Sequence, residues 1–374
     1  MTDDPIVDDS YGKHSTGILP GHVLIRLAAQ GREILIDEPF IEGQVQPASV
    51  DLRLGPVAWR VRASFLPGPN ATVKDKLPGN IMHEINLEDG AVLETGCVYV
   101  IPLLERVEFS ARVSGIANPK SSTGRLDVFT RLITDRAQSF DRIETGYHGP
   151  LYAEVSPRTF PILARKGSRL NQLRVRRGSP QFTDTQLKRL HAESPLVDCE
   201  ADIENGLGLS VDLKGDPATR LVGWRAKRHT HIIDVDKRGV LDPYEFWDPI
   251  EPSKSGNIVL DPDEFYILAS REAVAIPPEY AAEMVPFNPL VGEFRVHYAG
   301  FFDPGFGYTQ GHPPSARAVL EVRSREVPFI LEHGQTIGRL VFERLTEVPS
   351  EAYGEGIGSH YQRQGLKLSK HFVG

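Results

Sequence analysis

Apolar residues along this chain come in short runs closed by Gly, Pro or Asp, such as VYVI (98–101), FYIL (265–268) and RAVLEVR (317–323). Runs of that length and punctuation predict strands. In 317–323 the alternation is regular: Arg317, Val319, Glu321 and Arg323 share one face, and Ala318, Leu320 and Val322 share the other. The apolar face is the one expected to meet the core. Helical spacing is confined to 22–30, where Leu24, Ile25, Leu27 and Ala28 fall together, and to a brief stretch at 185–192. With 29 prolines and 34 glycines, the pattern predicts a turn-rich, mainly β protein rather than a bundle.

The pattern also repeats. SVDLR (49–53) and SVDLK (210–214) are each followed by Trp-Arg, at 59–60 and 224–225. EVSPRTFPILARKGSRLNQLRVRR (154–177) aligns without a gap to EVRSREVPFILEHGQTIGRLVFER (321–344), offset by 167, with seven of 24 positions identical. The same offset relates CVYVIPLLERVEF (97–109) to EFYILASREAVAI (264–276). A period this long means duplicated domains rather than a solenoid. The polar, Pro/Gly-containing stretch 178–206 reads as the linker. The expected domains are 1–197 and 198–374.

Bulk numbers narrow the function classes. A chain of 374 residues, 40% hydrophobic, can bury two ordinary cores. A net charge of −8 argues against a nucleic-acid partner. No apolar run is long enough for a membrane helix, and the acidic first 17 residues do not resemble a signal peptide. The two separated cysteines, Cys97 and Cys199, form no disulfide framework, so a cytoplasmic location is expected.

Three segments could carry chemistry. NPKSSTGRLDV (118–128) sets Ser121 and Ser122 between Lys120 and Arg125, a composition suited to phosphate oxygens. The alternative is a surface turn in which a serine caps a helix. AGFFDPGFG (299–307) holds Asp303 in a tight Asp-Pro-Gly turn. Glu321 and its counterpart Glu154 are lone carboxylates in apolar strands. Either is an exposed strand residue or, if buried, a group with a raised pKa able to act as a general base. Zinc is not expected, because H-x-E with P-C-x-x-C and H-E-x-x-H are both missing, and His229 and His231 read as an exposed strand.

Taken in order, these segments resemble the dCTP deaminase family of the dUTPase-like superfamily, in its long two-domain bacterial form. The resemblance rests on PFIEGQVQPASVDLRLG (39–55), on PKSSTGR with Lys120 in place of an arginine, and on AGFFDPGFG followed by AVLEV and ILEHGQTIGRLVFERL. It extends to Tyr353, His360 and Gln364 in the tail, where His360 replaces the family's lysine and the following glycine comes one residue early. The halves are unequal. The first keeps Ser-Ser-x-x-Arg but has RIETGYHG for its Asp-Pro turn; the second keeps Asp-Pro-Gly-Phe but has the serine-free VPFNPLVGEFR.

The resemblance implies two tandem dUTPase-like (β-clip) barrel domains with few short helices. It implies hydrolytic deamination of dCTP to dUTP and ammonia, with dUTPase or combined action to dUMP as the alternative and an inactive nucleotide-binding regulator as a further one. Glu321, Ser121 and Arg125 would be catalytic, and Lys120, Ser122, Asp303, Val319, Tyr353, His360 and Gln364 would bind nucleotide. Glu154 would belong to a degenerate equivalent site. Mg²⁺ would accompany the triphosphate, without zinc. dTTP is an expected feedback inhibitor, and a homo-oligomer is expected, a trimer ahead of a dimer. The glycines at 354, 356 and 358 make a flexible tail over 353–374 the expectation.

Overall fold

The computed structural model of the protein describes residues 11–216, 219–286, 294–296 (backbone), 300–324, 326–350 and 365–373. It is mainly β, with five short helices among the described residues. In the first half, one sheet runs Arg142–Ile143, Val113–Pro119, Arg169–Arg177, Ser49–Arg53, Val45–Gln46. The other runs Val128–Thr134, His148–Pro157, Val98–Glu108, Val57–Val61, Ile81–Asn86.

The second half repeats this plan. Thr336–Arg344 stands centrally in its sheet as Arg169–Arg177 does, and Phe265–Val274 pairs with Ala316–Ser324 as Val98–Glu108 pairs with His148–Pro157. The segments that align in sequence therefore occupy equivalent strands. The halves are joined by a small sheet in which Ile162–Ala164 pairs in parallel with Ile233–Asp234.

Two cores result. Ala318, Leu320 and Val322 enter the second core, as the alternation predicts. The linker helix, Asp184–Glu193, starts at a Thr183/Gln186 capping box and sinks Leu187 and Leu190 into that same core. Val319 enters the first core, together with Trp224, Phe246, Trp247 and Phe265 of the second half. Strand Ala316–Ser324 is therefore buried on both faces, because the first half covers the face that carries Glu321.

Three expectations are corrected. The first helix spans Gly21–Ala29 and buries Val23, Leu24, Leu27 and Ala28, while Ile25 is 49% exposed; the buried stripe starts at Val23. His229 and His231 are exposed in a loop beyond strand Gly223–Ala226 rather than in a strand. The tail does not run loose to its end: Leu368 and Phe372 are buried in the first core, and the Phe372 ring lies 5.4 Å from that of Phe246, edge to face. No helix among the described residues is long and apolar enough to cross a membrane.

Candidate active site

Strand Val113–Pro119 ends at a proline, and the chain turns at Lys120 into the single helical turn Ser121–Gly124. The amides of Thr123 and Gly124 donate to Lys120 O, and Arg125 N donates to Ser121 O at 3.0 Å. No side chain caps this turn, so the capping alternative for Ser121 and Ser122 is not realised. Ser122 is buried and Ser121 partly so. Asp127 closes the turn with φ 55, a left-handed conformation that a short polar side chain tolerates.

The turn delivers Arg125 to the second half. Its guanidinium is buried, with Nε 3.8 Å from Glu321 Oε1 and Nη1 donating to Lys367 O at 3.0 Å. Glu321 is 5% exposed. Burial pushes its carboxyl up to about 7, and Arg125 pulls in the opposite direction less strongly. Such a group exchanges a proton near neutral pH, as an acid–base residue must. Val319 packs two positions away on the same strand. Arg323, next along that face, pairs with Asp127 and donates to Thr159 Oγ1 at 3.0 Å, while Thr159 Oγ1 donates to Asp127 at 2.5 Å. A second cross-half lock thus lies beside the Arg125–Glu321 pair.

A basic group borders the turn. Lys120 pairs with the buried Asp51, and Arg169 Nη1 lies 3.5 Å from the same carboxylate. Burial lowers the Lys370 ammonium to about 8, helped by the nearby cations Lys120, Arg238 and Arg169, with Asp51 opposing. Asp303 joins through Arg174, whose Nη2 is 3.5 Å away, and burial holds its carboxyl above the usual range against the pull of Arg174 and Lys120. Its turn requires glycine at Gly307, where φ is +61 and a Cβ would stand 2.0 Å from Val274 O. The aromatics of AGFFDPGFG are core: Phe302 and Phe306 stack edge to face at 5.1 Å.

Glu154 has different company. Arg131 donates to its Oε1 from Nη2 at 2.6 Å and from Nε at 3.1 Å, and the guanidinium lies 3.4 Å from the Phe140 ring centroid. The carboxylate is held by a cation of its own half. Tyr353, His360 and Gln364 lie outside the described residues, as does 287–293 of VPFNPLVGEFR. Among the described residues no group of three or more His, Cys, Asp or Glu is placed to hold a metal ion.

Sequence reasoning missed Asp51, Arg169, Arg238, the Lys367 carbonyl, Ser369 and Lys370. Asp51 had a signal, since it stands inside the repeated SVDL motif. Arg169 meets Asp51 because its strand pairs with Ser49–Arg53, a pairing that local period does not reveal, and the rest depend on how the tail folds back.

The sequence matches two family models, described as the N-terminal domain of 2'-deoxycytidine 5'-triphosphate deaminase over residues 15–179 and its C-terminal domain over 183–372. It is similar to a Mycobacterium ulcerans protein named "dCTP deaminase, dUMP-forming", 31% identical over 159 residues that make up 41% of this chain and 76% of that one. A Beutenbergia cavernae protein of the same name is 32% identical over 152 residues, 37% of this chain and 73% of its own. A crystal structure of 2'-deoxycytidine 5'-triphosphate deaminase from Agrobacterium tumefaciens superposes with a TM-score of 0.86 at 55% identity, covering 90% of this chain and 100% of that one.

Proposed function

This chain belongs to the dCTP deaminase family, and we propose that it hydrolyses dCTP to dUTP and ammonia at a site shared by its two halves. The observation that carries the reading is the buried Glu321 carboxyl, poised near pH 7 and faced by Arg125 of the other half. In this reading, domain 1–197 supplies Lys120, Ser121, Ser122 and Arg125, and domain 198–374 supplies Asp303, Val319 and Glu321.

Glu321 takes a proton from a water held by Ser121 and backbone groups. The hydroxide adds to C4 of cytosine as Glu321 passes its proton to N3, and the C4–N bond then breaks as Glu321 carries the C4 hydroxyl proton to the departing ammonia, leaving the C4 carbonyl. Arg125 balances the glutamate while it is ionised and stabilises charge developing on the ring. Lys120, Arg169, Arg238 and Lys370 are suited to the triphosphate, which would bring Mg²⁺ bound through phosphate oxygens and water. A cytoplasmic location, a homo-oligomer with a trimer ahead of a dimer, and feedback by dTTP complete the proposal.

A second reading, in which the product is carried on to dUMP, draws on the names of the relatives at 31–32% identity. Incubation with dCTP and with dUTP, following ammonia and pyrophosphate separately, tests both. Ammonia without pyrophosphate is expected. Both products from dCTP would favour the second reading, and no ammonia from dCTP would end the first.

A further inference from the structure

The last described residues, 365–373, touch the site from a side the sequence did not suggest. Two of their contacts reach the Lys120–Arg125 segment, and two more support those. Lys367 O accepts from Arg125 Nη1 at 3.0 Å. Ser369 Oγ donates to Ser122 O at 2.8 Å and lies 2.8 Å from His371 Nδ1. His371 Nε2 lies 3.0 Å from Val235 O in the second half. Ser369 and His371 are both buried, and Leu368 and Phe372 anchor the segment in the first core.

The proton count fixes how this chain is wired. Burial holds the His371 imidazole well below its ordinary range, at about 4, so it is neutral at physiological pH. A carbonyl can only accept, so the single imidazole proton sits on Nε2 and is donated to Val235 O. Nδ1 then faces Ser369 Oγ as an acceptor. The one hydroxyl proton of Ser369 can go to Ser122 O or to Nδ1 but not to both at once, so the hydroxyl is confined between the two acceptors that compete for it. A carbonyl in a one-turn helix has no regular helix beyond it to fix its direction, so an outside contact at Ser122 bears directly on the turn that aims Arg125.

We propose that residues 367–372 form a clasp that preorganises the shared site, with Ser369 and His371 as positioning residues for the Ser121–Gly124 turn and the Lys367 carbonyl orienting Arg125. The proposal rests on the reading of Arg125 and the two serines as site residues. The clasp acts through these groups and leaves the chemistry to them. A segment serving only to fill the core would need Leu368 and Phe372 but no buried Ser-x-His pair aimed at the turn.

The test uses the full-length chain and reads both the turn and the rate. Ser369→Ala should speed amide hydrogen exchange across residues 120–127. It should lower kcat for dCTP on the order of tenfold, with KM within about twofold, because misplacement of a site group acts on the reacting geometry. Ser369→Thr, which restores the hydroxyl, should recover both, and His371→Asn should shift both in the same direction as Ser369→Ala. Unchanged exchange at 120–127 in both Ser369→Ala and His371→Asn overturns the clasp whatever the substrate proves to be. A lowered melting temperature with kcat and exchange intact overturns it too, in favour of simple packing. Faster exchange in a chain whose parent releases no ammonia from dCTP would uphold the clasp and sink the substrate reading instead.

Discussion

Arg125 Nε stands 3.8 Å from Glu321 Oε1, although the two residues come from opposite halves of a duplicated chain. One polypeptide thereby brings a cation and a carboxylate together without a second subunit. The equivalent glutamate is used differently, since Glu154 is held by Arg131 within its own half. Glu321→Gln should therefore lose about 10²–10⁴ in kcat for dCTP, the usual cost of removing a general base. Glu154→Gln should keep most of its turnover. Steady-state assays of the two variants side by side decide the matter, and the reverse ranking would move catalysis to the other half.

The same substitution should act on stability with a definite sign. Glu321 has an ordinary carboxyl pKa of 4.5 in the unfolded chain and about 7 when folded. The folded state holds the extra proton between those values, so stability falls as pH rises from 4.5 through 7. Glu321→Gln removes that loss and should be more stable than the parent at pH 8, by at most about 3 kcal/mol. Asp141, also pushed up to about 7 by burial, keeps its own share of the slope in both proteins. Urea titrations at pH 5 and pH 8 measure the difference. A variant less stable than its parent at pH 8 would count against a buried, strained carboxyl.

Lys370 gives a second pH signature, this time on substrate capture. Its ammonium, lowered to about 8, is charged below that pH and neutral above it. If it contacts the triphosphate, kcat/KM for dCTP should decline as pH passes 8, since that ratio reports groups of the free enzyme. Lys370→Arg, whose charge persists, should flatten this alkaline limb. A limb unchanged in Lys370→Arg would assign it to another group.

The Arg323–Asp127 pair should prove a strong tie between the halves. Both side chains are buried, so removing one partner leaves the other charge without its main counter-ion. Asp127→Asn is expected to cost about 3–5 kcal/mol, the range found for breaking buried pairs. The midpoint of urea unfolding reads this directly. A change below about 1 kcal/mol would place the pair in the weak class typical of exposed ion pairs.

Packing of the tail predicts a loss that a loose tail would not show. Phe372→Ala removes a ring lying against Phe246 and Trp247 in the first core. It should destabilise the chain by about 3–5 kcal/mol, as other buried Phe→Ala changes do. Thermal unfolding of the full-length variant measures this, and an unaltered midpoint would mean that the tail is detached in solution.

What was legible in the sequence was what depends on local period or on the repeat. Ala318, Leu320 and Val322 announce one buried face by alternation, and the gapless 167-residue offset announces equivalent strands. The asymmetry between halves, with Ser121 and Arg125 intact in one and Asp303 intact in the other, also pointed to a shared site. Burial of Glu321 was not legible. Its cover comes from the other half of the chain, and periodicity reports which residues share a face but not what lies against it. Leu368, Phe372 and the partly buried Leu366, which packs against the same core, were hidden for another reason: three apolar positions in a short terminal stretch define no period, and the preceding glycines suggested a loose tail. Ile25 misled because a helical stripe can be read one position to either side.

Strand Ala316–Ser324 is buried at every position but Arg317, which is partly exposed, and this changes how it should respond to random substitution. Ordinary half-exposed strands tolerate polar replacements at every second position, as Phe329–Glu332 should, with Leu331 inside and Ile330 and Glu332 outside. In Ala316–Ser324 that rhythm should vanish, leaving a nearly uninterrupted intolerant stretch. For the same reason, a gene cut between the halves should yield two sticky fragments, each displaying a surface built to be an interior.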